Sequence, residues 1–498
     1  MVRRTRAAPF PLVIVIVILL VSTPSTPDPC PPTLVPLMNI DDTIRPRDLR
    51  TAIDRVFDLA ARKVRAIDRT WDSTRGTPVF TVNGRYTTRG WTEWTQGFVY
   101  GCAILVFDAT RDRKMLELGR RRTLERMAPH VTHMGVHDHG FNNLSTYGNL
   151  RRLMLEGRIR HNEWELNFYE MAIKASGAVQ AGRWTDTADR DPIDGGGYIC
   201  SFNGPHSLFV DTMRTIRVLG LAHQLGHVLM GEGDAVINLL GRAIRHALTT
   251  ARYVVCTGTS GRPYDVRGRT AHEAIFNRTD GSFRCPSTQQ GYSPFSTWTR
   301  GLAWAMLGFA EELEFLQTRG GPEIRTACGL AKARVLASFT RAARATCDHY
   351  INDCSATDGV CYWDDGAAHL HRFDWRNTPA DPFNDFEPVD SSAAAIAAQG
   401  LIRLGRTLGA KAGRRYTQAG LTVARTLFGE PYLSAGPRHQ GLLLHSVYHR
   451  PNGWDHVPRG RKVPCGESSM WGDYHLLELA VLIKRLAEGG TVPRFFDG

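Results

Sequence analysis

Apolar residues recur at intervals of three and four along most of the chain after residue 40, which is the spacing of one face of an α-helix. The first such stretch has apolar positions at Ile53, Val56, Phe57, Ala60 and Val64. Comparable stretches follow at 94–109, 112–127, 141–155, 162–181, 207–220, 234–254, 297–316, 323–346, 391–408, 413–428 and 467–487. No strand pattern is comparably strong, so the sequence predicts about twelve helices.

The predicted helices are of two alternating kinds. The odd-numbered ones carry polar faces rich in Arg, Lys or Glu, as at 120–122 in the third. The even-numbered ones are apolar on most faces, as at 301–309 and 391–400. A helix with a polar face meets water, whereas one that is apolar all round is buried. Six outer helices alternating with six inner ones predict an all-α (α/α)6 barrel over residues 45–490, preceded by an N-terminal extension at 29–44.

The N-terminus has the pattern of a secretory signal. Three arginines precede the apolar run Phe10 to Val21, which is about half the length needed to span a bilayer, and small and turn residues follow it. We expect a signal peptide at residues 1–28, a mature chain that starts between about residues 23 and 31, and a secreted or periplasmic protein without stable membrane insertion. An uncleaved anchor is the alternative. Cys30 lacks a preceding lipobox, which argues against lipid attachment.

Charge and cysteine content narrow the function classes. The net charge of +12 suits an acidic partner such as a polyanionic glycan. The chain has no run of five or more Lys or Arg residues, which argues against nucleic acid as that partner. The ten cysteines of an exported chain permit disulfides, and Cys354 with Cys361 would close a short loop; buried free thiols are equally compatible with the sequence. His223, His227 and Glu232 do not form a His-Glu-x-x-His motif, so no metal site is predicted.

Polar and aromatic residues of unusual type lie at or near the starts of the even-numbered helices. They are Trp94, Asp138, Asp211, Trp298, Arg300, Asp390 and Ser468. The starts of all inner helices face one end of such a barrel, so these residues are predicted to surround a single mouth. Helix N-termini also offer free N–H groups to an anionic ligand.

Asp138 and Asp211 are candidates for acid–base chemistry because both lie among apolar and aromatic residues. A buried carboxylate without a partner is costly, and burial raises its pKa toward the range that a general acid needs. We expect burial and the nearby charge of Asp138 to raise the pKa of Asp211 despite the opposing helix dipole. The alternatives are purely structural roles, in which Asp211 caps its helix or pairs with Arg214 or Arg217, and Asp138 is a turn residue before Gly140.

Six motifs in fixed order resemble those of glycoside hydrolase family 88, the unsaturated glucuronyl hydrolases, over roughly residues 45–487. They are Trp94-Thr-Gln-Gly-Phe98, His137-Asp-His-Gly-Phe141, Gln289-Gln-Gly-Tyr292, Ser296-Thr-Trp-Thr-Arg-Gly-Leu-Ala-Trp304, Asp390-Ser-Ser-Ala393 and Cys465-Gly-Glu-Ser-Ser-Met-Trp-Gly-Asp-Tyr474. The resemblance implies an (α/α)6 barrel. It also implies hydration of the C4=C5 vinyl ether in the terminal unsaturated uronic acid of lyase products, after which the hemiketal opens and releases the next sugar.

The resemblance also implies residue roles. Asp211 would protonate C4 and activate the water that attacks C5, and Asp138 would be the second essential acid. The positions that match substrate contacts or the pocket lining are His272, Gln290, Trp298, Arg300, Trp94, His137 and Trp304, with Ser468 and Ser469 as further candidates. Neither a metal nor another cofactor is implied. The expected substrates are unsaturated uronic-acid oligosaccharides derived from glycosaminoglycans or other polyuronides.

Some departures and alternatives remain open at this stage. Gln289 stands where many relatives have histidine, and His139 and Leu302 also depart from common family residues, which bears on substrate choice. Asp390 and the serine pair are also good helix N-caps. The functional alternatives are an unsaturated rhamnogalacturonyl hydrolase like those of family 105, and a non-catalytic carbohydrate-binding homologue. A sugar epimerase would need histidine pairs where the inner helices offer carboxylates.

Overall fold

Twelve long helical stretches alternate between an outer and an inner layer in the computed structural model, which describes residues 37–89 and 94–496. The predicted signal peptide and cleavage region lie outside the described residues. The outer helices are α1 (Arg50–Thr70), α3 (Arg113–Arg126), α5 (Glu163–Gly182), α7 (Leu239–Tyr253), α9 (Lys332–His349) and α11, which is the second part of Ser391–Leu427. The inner helices are α2 (Gln96–Thr110), α4 (His139–Asn143, Leu144–Gly148 and Asn149–Leu155), α6 (Thr212–Thr215 and Arg217–Gln224), α8 (Thr299–Thr318), α10, which is the first part of Ser391–Leu427, and α12 (Met470–Ala487).

The predicted (α/α)6 barrel is confirmed, with local differences. Gly409, at φ 82°, separates α10 from α11. The predicted helix at 323–346 is broken into a short helix, Gly321–Cys328, and α9, because Gly329 adopts a left-handed conformation between them. The predicted helix at 207–220 begins only at Thr212, since Ser207–Phe209 is a strand. Further short helical segments are Pro46–Leu49, Ser73–Arg75, Ala128–Val131, Pro192–Asp194, Glu232–Asp234, Tyr350–Cys354 and Leu370–Arg372.

Each inner helix contacts the next inner helix, and α12 returns to α2, so the inner layer is a closed ring. The apolar sequences of these helices fill its centre: every residue of α8 from Thr299 to Leu316 is buried, as is every residue of α12 from Met470 to Ile483. The outer helices bury one face only. In α1 the buried positions are Ile53, Val56, Phe57, Leu59, Ala60, Lys63 and Ile67. The two periodicities therefore produce the two layers.

Nine short strands lie in the loops of the described region. They are β1 (Phe80–Val82), β2 (Arg85–Thr87), β3 (Trp184–Asp186), β4 (Gly197–Ile199), β5 (Ser207–Phe209), β6 (Leu229–Met230), β7 (Val236–Ile237), β8 (Glu273–Phe276) and β9 (Phe283–Ser287). They pair antiparallel as three hairpins and one sheet of order β5–β8–β9. This sheet matters for the site because α6 begins directly after β5.

Two further expectations concern the cysteines and the membrane. All nine cysteines between residues 37 and 496 are free thiols, so Cys354 and Cys361 are not bonded to each other. Cys30 lies outside the described residues. Among the helices that are described, none combines the length and apolar character that a bilayer crossing requires.

Candidate active site

The starts of the six inner helices meet at one end of the barrel, as predicted. Contacts link neighbouring helix starts around this end. Gly97 of α2 approaches Asn142 of α4, and His137 before α4 bonds Asp211 before α6. Arg300 of α8 pairs with Asp390 before α10. Trp471 of α12 donates to Ser392 of α10 and stacks on Trp94 before α2. The residues singled out by their place in the sequence therefore share one region.

Glycines allow α4 to lie unusually close to its neighbours. A Cβ atom on Gly140 would lie 2.2 Å from the carbonyl oxygen of Thr215 in α6. A Cβ atom on Gly97 would lie 2.3 Å from the carbonyl oxygen of Asn142. Real Cβ atoms do not make contacts this short, so glycine is required at both positions. The close approach at Gly140 brings Asp138, the N-cap residue of α4, next to the start of α6.

His137 lies between the two candidate catalytic aspartates. Its Nε2 atom is 3.3 Å from Oδ1 of Asp211 and 3.8 Å from Oδ1 of Asp138. The imidazole is fully buried, while the side chains of Asp138 and Asp211 are 7% and 13% exposed. The His137 carbonyl oxygen accepts hydrogen bonds from Gln180 and Thr215, which fix the backbone of this segment. The two carboxyl groups thus share one histidine at the barrel mouth.

The electrostatics differ from the sequence-based prediction for Asp211. Burial acts to raise its pKa, but the positive charge of His137 and the hydrogen bond to it outweigh burial, so the pKa of Asp211 lies below its usual value. Burial raises the pKa of Asp138 to about 6; His137 opposes this shift and the charge of Asp211 reinforces it. The pKa of His137 is raised because its two carboxylate neighbours outweigh its own burial. The proton-holding carboxyl of the free protein is therefore Asp138 rather than Asp211.

The sheet β5–β8–β9 places His272 beside Asp211. The Val210 N–H donates to the carbonyl oxygen of His272 over 3.0 Å, which fixes the residue before β8 next to the residue that starts α6. His272 Nδ1 accepts from the backbone N–H of Gln289, and burial lowers the pKa of His272 to about 3. The ring is therefore neutral with its proton on Nε2, a buried atom that has no hydrogen-bond partner. This N–H is a donor available to a ligand.

Arg300 is not free to bind a ligand, contrary to the sequence-based prediction. Its guanidinium is 1% exposed and donates to Asp390 Oδ2 (2.6 Å), Val447 O (2.5 Å), Gln290 Oε1 (2.9 Å) and Tyr448 O (2.7 Å). The loop that supplies the two carbonyl groups has no periodic pattern that would indicate its approach to α8. Arg300 thus acts as a positioning residue for Gln290, and Gln290 is the partly exposed member of this network.

The predicted tryptophans occupy different depths. Trp94 is partly exposed, and its ring stacks on Trp471 with centroids 4.9 Å apart. Trp298 is 2% exposed; the Arg300 guanidinium lies 4.6 Å from its ring centroid, and the His272 ring packs against it. Trp304 lies within the barrel core, against Phe141 and His475. That Trp304 lines the pocket stays a prediction; the residue lies about one and a half turns along α8 from the helix start.

The serine pair has structural contacts instead of a free surface. Ser468 is fully buried, with its hydroxyl 2.7 Å from both Leu443 O and Asp473 Oδ1. Ser469 is also fully buried and caps α12 by accepting from the Gly472 N–H. Asp390 caps α10 in the same way. The N-cap interpretation holds for Asp390 and Ser469 but not for Ser468, and a direct substrate contact by either serine is not supported.

Sequence reasoning missed the loop at 445–456. Its Tyr448 packs against Trp471 and Trp454. Burial and the nearby charge of Arg300 lower the pKa of its His449 to about 4, and His449 contributes in turn to the lowered pKa of His272. His-Ser-Val-Tyr-His is an unremarkable loop sequence, and only its aromatic content distinguished it. His223, for which no metal site is predicted, contacts a carboxylate instead: its Nε2 atom lies 3.0 Å from Oε1 of Glu323.

Comparisons with known proteins bear on this arrangement. No family model matches the chain. Curated relatives do: the unsaturated chondroitin disaccharide hydrolase of Streptococcus agalactiae is 24% identical over 415 residues, which cover 80% of this chain and 84% of the relative. The unsaturated glucuronyl hydrolase of Bacillus sp. strain GL1 is 25% identical over 416 residues, which cover 82% and 90% of the two chains.

The fold comparison agrees. The crystal structure of an unsaturated glucuronyl hydrolase specific for heparin superposes with a TM-score of 0.63 at 18% identity, over 88% of this chain and 97% of that one. The chain is therefore similar over most of its length to unsaturated glucuronyl hydrolases, in agreement with the resemblance of its motifs to glycoside hydrolase family 88. The cluster of His137, Asp138 and Asp211 is its candidate catalytic centre.

Proposed function

We propose that this unsaturated glucuronyl hydrolase removes the terminal 4,5-unsaturated uronic acid from lyase-generated oligosaccharides by acid–base hydration of the C4=C5 bond. The observation that carries the proposal is the pair Asp138 and Asp211 around His137 at the convergence of the inner helices. Two carboxyl groups with separated pKa values provide one protonated and one ionised group below about pH 6.

Asp211 is the group that we assign to proton transfer. In the free enzyme its pKa is lowered beside His137, whose own pKa is raised by the two carboxylates. A bound uronate would bring another negative charge to this cluster, and a nearby like charge raises carboxyl pKa values. Asp211 would then hold the proton that it gives to C4, and its carboxylate would afterwards take a proton from the water that attacks C5. Asp138 and His137 would hold the remaining charge of the cluster in place.

His272 and the aromatic residues support recognition of an anionic sugar. The unpartnered Nε2–H of His272 lies in the same buried region as Asp211 and offers one donor to a carboxylate or hydroxyl oxygen. Trp94 supplies a partly exposed ring at the opposite side of the mouth, stacked on Trp471. An indole face provides an apolar surface for a pyranose ring, while the helix N-termini favour negative charge. Gln290, held by Arg300, adds a polar contact to the mouth.

The substrate class that we propose is the unsaturated uronic-acid disaccharide of an acidic polysaccharide. The curated relatives are named for unsaturated chondroitin disaccharides and for unsaturated glucuronyl groups, and one solved neighbour is named as specific for heparin. The net charge of +12 favours encounter with such anions. We further propose that residues 1–28 direct export, because Arg3, Arg4 and Arg6 precede a short apolar run.

The direct test is turnover of a panel of lyase-generated disaccharides from chondroitin, hyaluronan, heparin and rhamnogalacturonan. Loss of the ultraviolet absorbance of the conjugated acid reports hydration of the double bond. We expect turnover of at least one unsaturated glucuronyl disaccharide. Turnover restricted to the unsaturated galacturonyl-rhamnose substrate would favour a family 105-like activity, and binding without turnover across the panel would contradict hydrolysis.

A further inference from the structure

A histidine, a cysteine and an aspartate converge behind the segment that carries Trp298. His349 is the last residue of α9, Cys354 ends the helical turn Tyr350–Cys354, and Asp365 lies in the loop after Tyr362. His349 and Cys354 are each about 1% to 2% exposed, and the Asp365 side chain is 7% exposed. One potential ligand atom from each residue lies within 4.8 Å of the others. Within the described residues this is the one group of three such side chains.

The distances suit a tetrahedral metal ion. Nε2 of His349 is 3.1 Å from Oδ2 of Asp365, and Sγ of Cys354 is 3.8 Å from the same oxygen. Zinc binds nitrogen and oxygen at about 2.0–2.2 Å and sulfur at about 2.3 Å, so tetrahedral geometry separates N and O by roughly 3.3 Å and S and O by roughly 3.6 Å. The N–O and S–O separations therefore differ from these tetrahedral values by only a few tenths of an ångström.

The surrounding contacts orient the three groups toward a common point. Asp353 Oδ2 lies 3.1 Å from Nδ1 of His349, which is the carboxylate–histidine arrangement that fixes the tautomer and ring orientation of metal-binding histidines. The Thr297 N–H donates to Oδ1 of Asp365, so Oδ2 is the oxygen left facing His349 and Cys354. The ligand atoms of His349 and Asp365 are thus each directed by a partner on the other side of the group.

The charges of the neighbourhood are also compatible with a dication. A Cys354 thiolate and the Asp365 carboxylate would neutralise the two charges of the ion, and Asp353 would offset Arg269, which lies near both ligands. A metal would have to displace the proton of the buried Cys354 thiol, which makes uptake favour higher pH.

We propose that His349, Cys354 and Asp365 form a binding site for a divalent zinc-class ion, with the fourth position open to a water molecule or a neighbouring oxygen. The site is distinct from the acid–base cluster of His137, Asp138 and Asp211. Its place in the fold gives it a structural role: the loop of Asp365 bonds Thr297, and the adjacent Asp364 pairs with Trp298 in a β-bridge and accepts from the Tyr292 N–H. The ion would tie α9 to the segment that enters α8 at the barrel mouth.

The first experiment measures metal content and affinity in the full-length wild-type enzyme. Protein purified under reducing conditions without immobilised metal is stripped with a chelator, dialysed and titrated with Co²⁺ and with Zn²⁺. We expect one ion per chain with a Kd below about 1 µM, and a near-ultraviolet thiolate-to-Co²⁺ charge-transfer band. Failure of the wild-type enzyme to bind either ion would overturn the proposal and leave His349 as an imidazolium between Asp353 and Asp365.

Variants then locate the ion. Asp365→Asn should weaken Co²⁺ binding on the order of a hundredfold, Cys354→Ser should remove the charge-transfer band, and Asp353→Asn should weaken binding by roughly tenfold to a hundredfold through His349. Cys328→Ser, another buried free thiol that bonds only its own helix, should change neither signal. Uptake that persists unchanged in Asp365→Asn and Cys354→Ser would place the ion elsewhere and refute the site.

Because Cys354 is buried, a failure of its serine variant to fold would be uninformative. Asp365→Asn, which keeps the size of the side chain, is therefore tested in parallel, with circular dichroism as the folding control. The binding measurements do not involve turnover. They therefore stand or fall separately from the proposed hydrolase activity, whose failure on the disaccharide panel would leave the metal result intact.

Discussion

Two clusters of buried charge lie among the inner helices. They differ in the number and kind of cations that pair with their carboxylates. Along the helices, Arg214 pairs with Glu311 and Glu478, Arg217 pairs with Glu311, and Arg403 pairs with Glu314 at 2.7 Å. At the helix starts, Asp138 and Asp211 share the single imidazole of His137. The first cluster has three arginines for three glutamates, whereas the second has one titratable cation for two acids.

This difference separates a structural cluster from a reactive one. The sequence left open that Asp211 pairs with Arg214 or Arg217, but both arginines are committed to Glu311 and Glu478. The cations of the first cluster keep their charge because arginine does not titrate in the working pH range, whereas a histidine exchanges its proton near neutral pH. The carboxyl groups beside His137 therefore have protonation states that a substrate can change.

The largest expected effect is on stability and comes from breaking the arginine cluster. Arg214→Met should lower the free energy of unfolding by about 3–5 kcal/mol, because it removes the arginine that pairs with buried Glu478 and one of the arginines that pair with buried Glu311. Urea unfolding measures this loss. Arg55→Met, which removes the exposed pair Arg55–Glu430, is the matched control and should cost about 1 kcal/mol or less. Equal losses in the two variants would contradict the comparison.

Asp211→Asn tests the reactive cluster itself. Turnover of an unsaturated disaccharide should fall on the order of a hundredfold or more, since the amide neither donates a proton to carbon nor activates water. The urea midpoint should stay close to that of the wild type, in contrast to Arg214→Met. Near wild-type loss of the double-bond absorbance would show that Asp211 is not the acid.

The pH profile sharpens the assignment of charge. Below about pH 6 Asp138 is protonated, so His137 and Asp211 leave the cluster neutral; above it Asp138 ionises and the cluster becomes negative. That charge would repel the carboxylate of the substrate and remove a proton from the cluster. We expect kcat/KM to fall as pH rises from about 6 to about 8. The residual activity of Asp138→Asn should not show this fall, because the variant lacks the titrating carboxyl group. A wild-type kcat/KM that rises over this range would contradict the assignment.

The fold was predictable to a greater depth than the site. The twelve helices follow from local periodicity, and the convergence of Asp138, Asp211 and Asp390 follows from the alternation of layers. The sign of the pKa shift of Asp211 was not predicted, because burial was weighed against the helix dipole while the charge of His137 was left out. That histidine is adjacent to Asp138 in the motif, so the signal was present in the sequence.

Other features depend on contacts that no local pattern specifies. The two carbonyl groups that occupy Arg300 come from residues 447 and 448, in a loop far along the chain. Ser468 is occupied by Leu443 and Asp473 in the same way. Residue type and position at a helix start correctly place these side chains near the mouth. They do not show whether a side chain faces the ligand or the surrounding protein.

Arg300→Lys tests an arginine that is paired with a carboxylate, like those of the arginine cluster, but lies at the barrel mouth near the cluster of His137, Asp138 and Asp211. Lysine keeps an ion pair with Asp390 but lacks the planar group that also holds Gln290 and the two backbone carbonyls. We expect kcat to fall by about tenfold with KM little changed, equally for sulfated and unsulfated disaccharides, because positioning rather than a substrate contact is lost. A rise in KM confined to one substrate class would instead indicate direct contact.

Ser469→Ala gives the smallest expected effect and tests whether a residue at the mouth is structural. Its hydroxyl accepts from the Gly472 N–H at the start of α12, and the side chain is fully buried. Loss of this N-cap should lower the free energy of unfolding by about 1 kcal/mol. KM and kcat should remain close to wild-type values, since other contacts hold α12 in the ring. A changed KM with unchanged stability would instead assign Ser469 to the substrate site. It would show that a side chain that caps a helix within the protein can also take part in substrate binding.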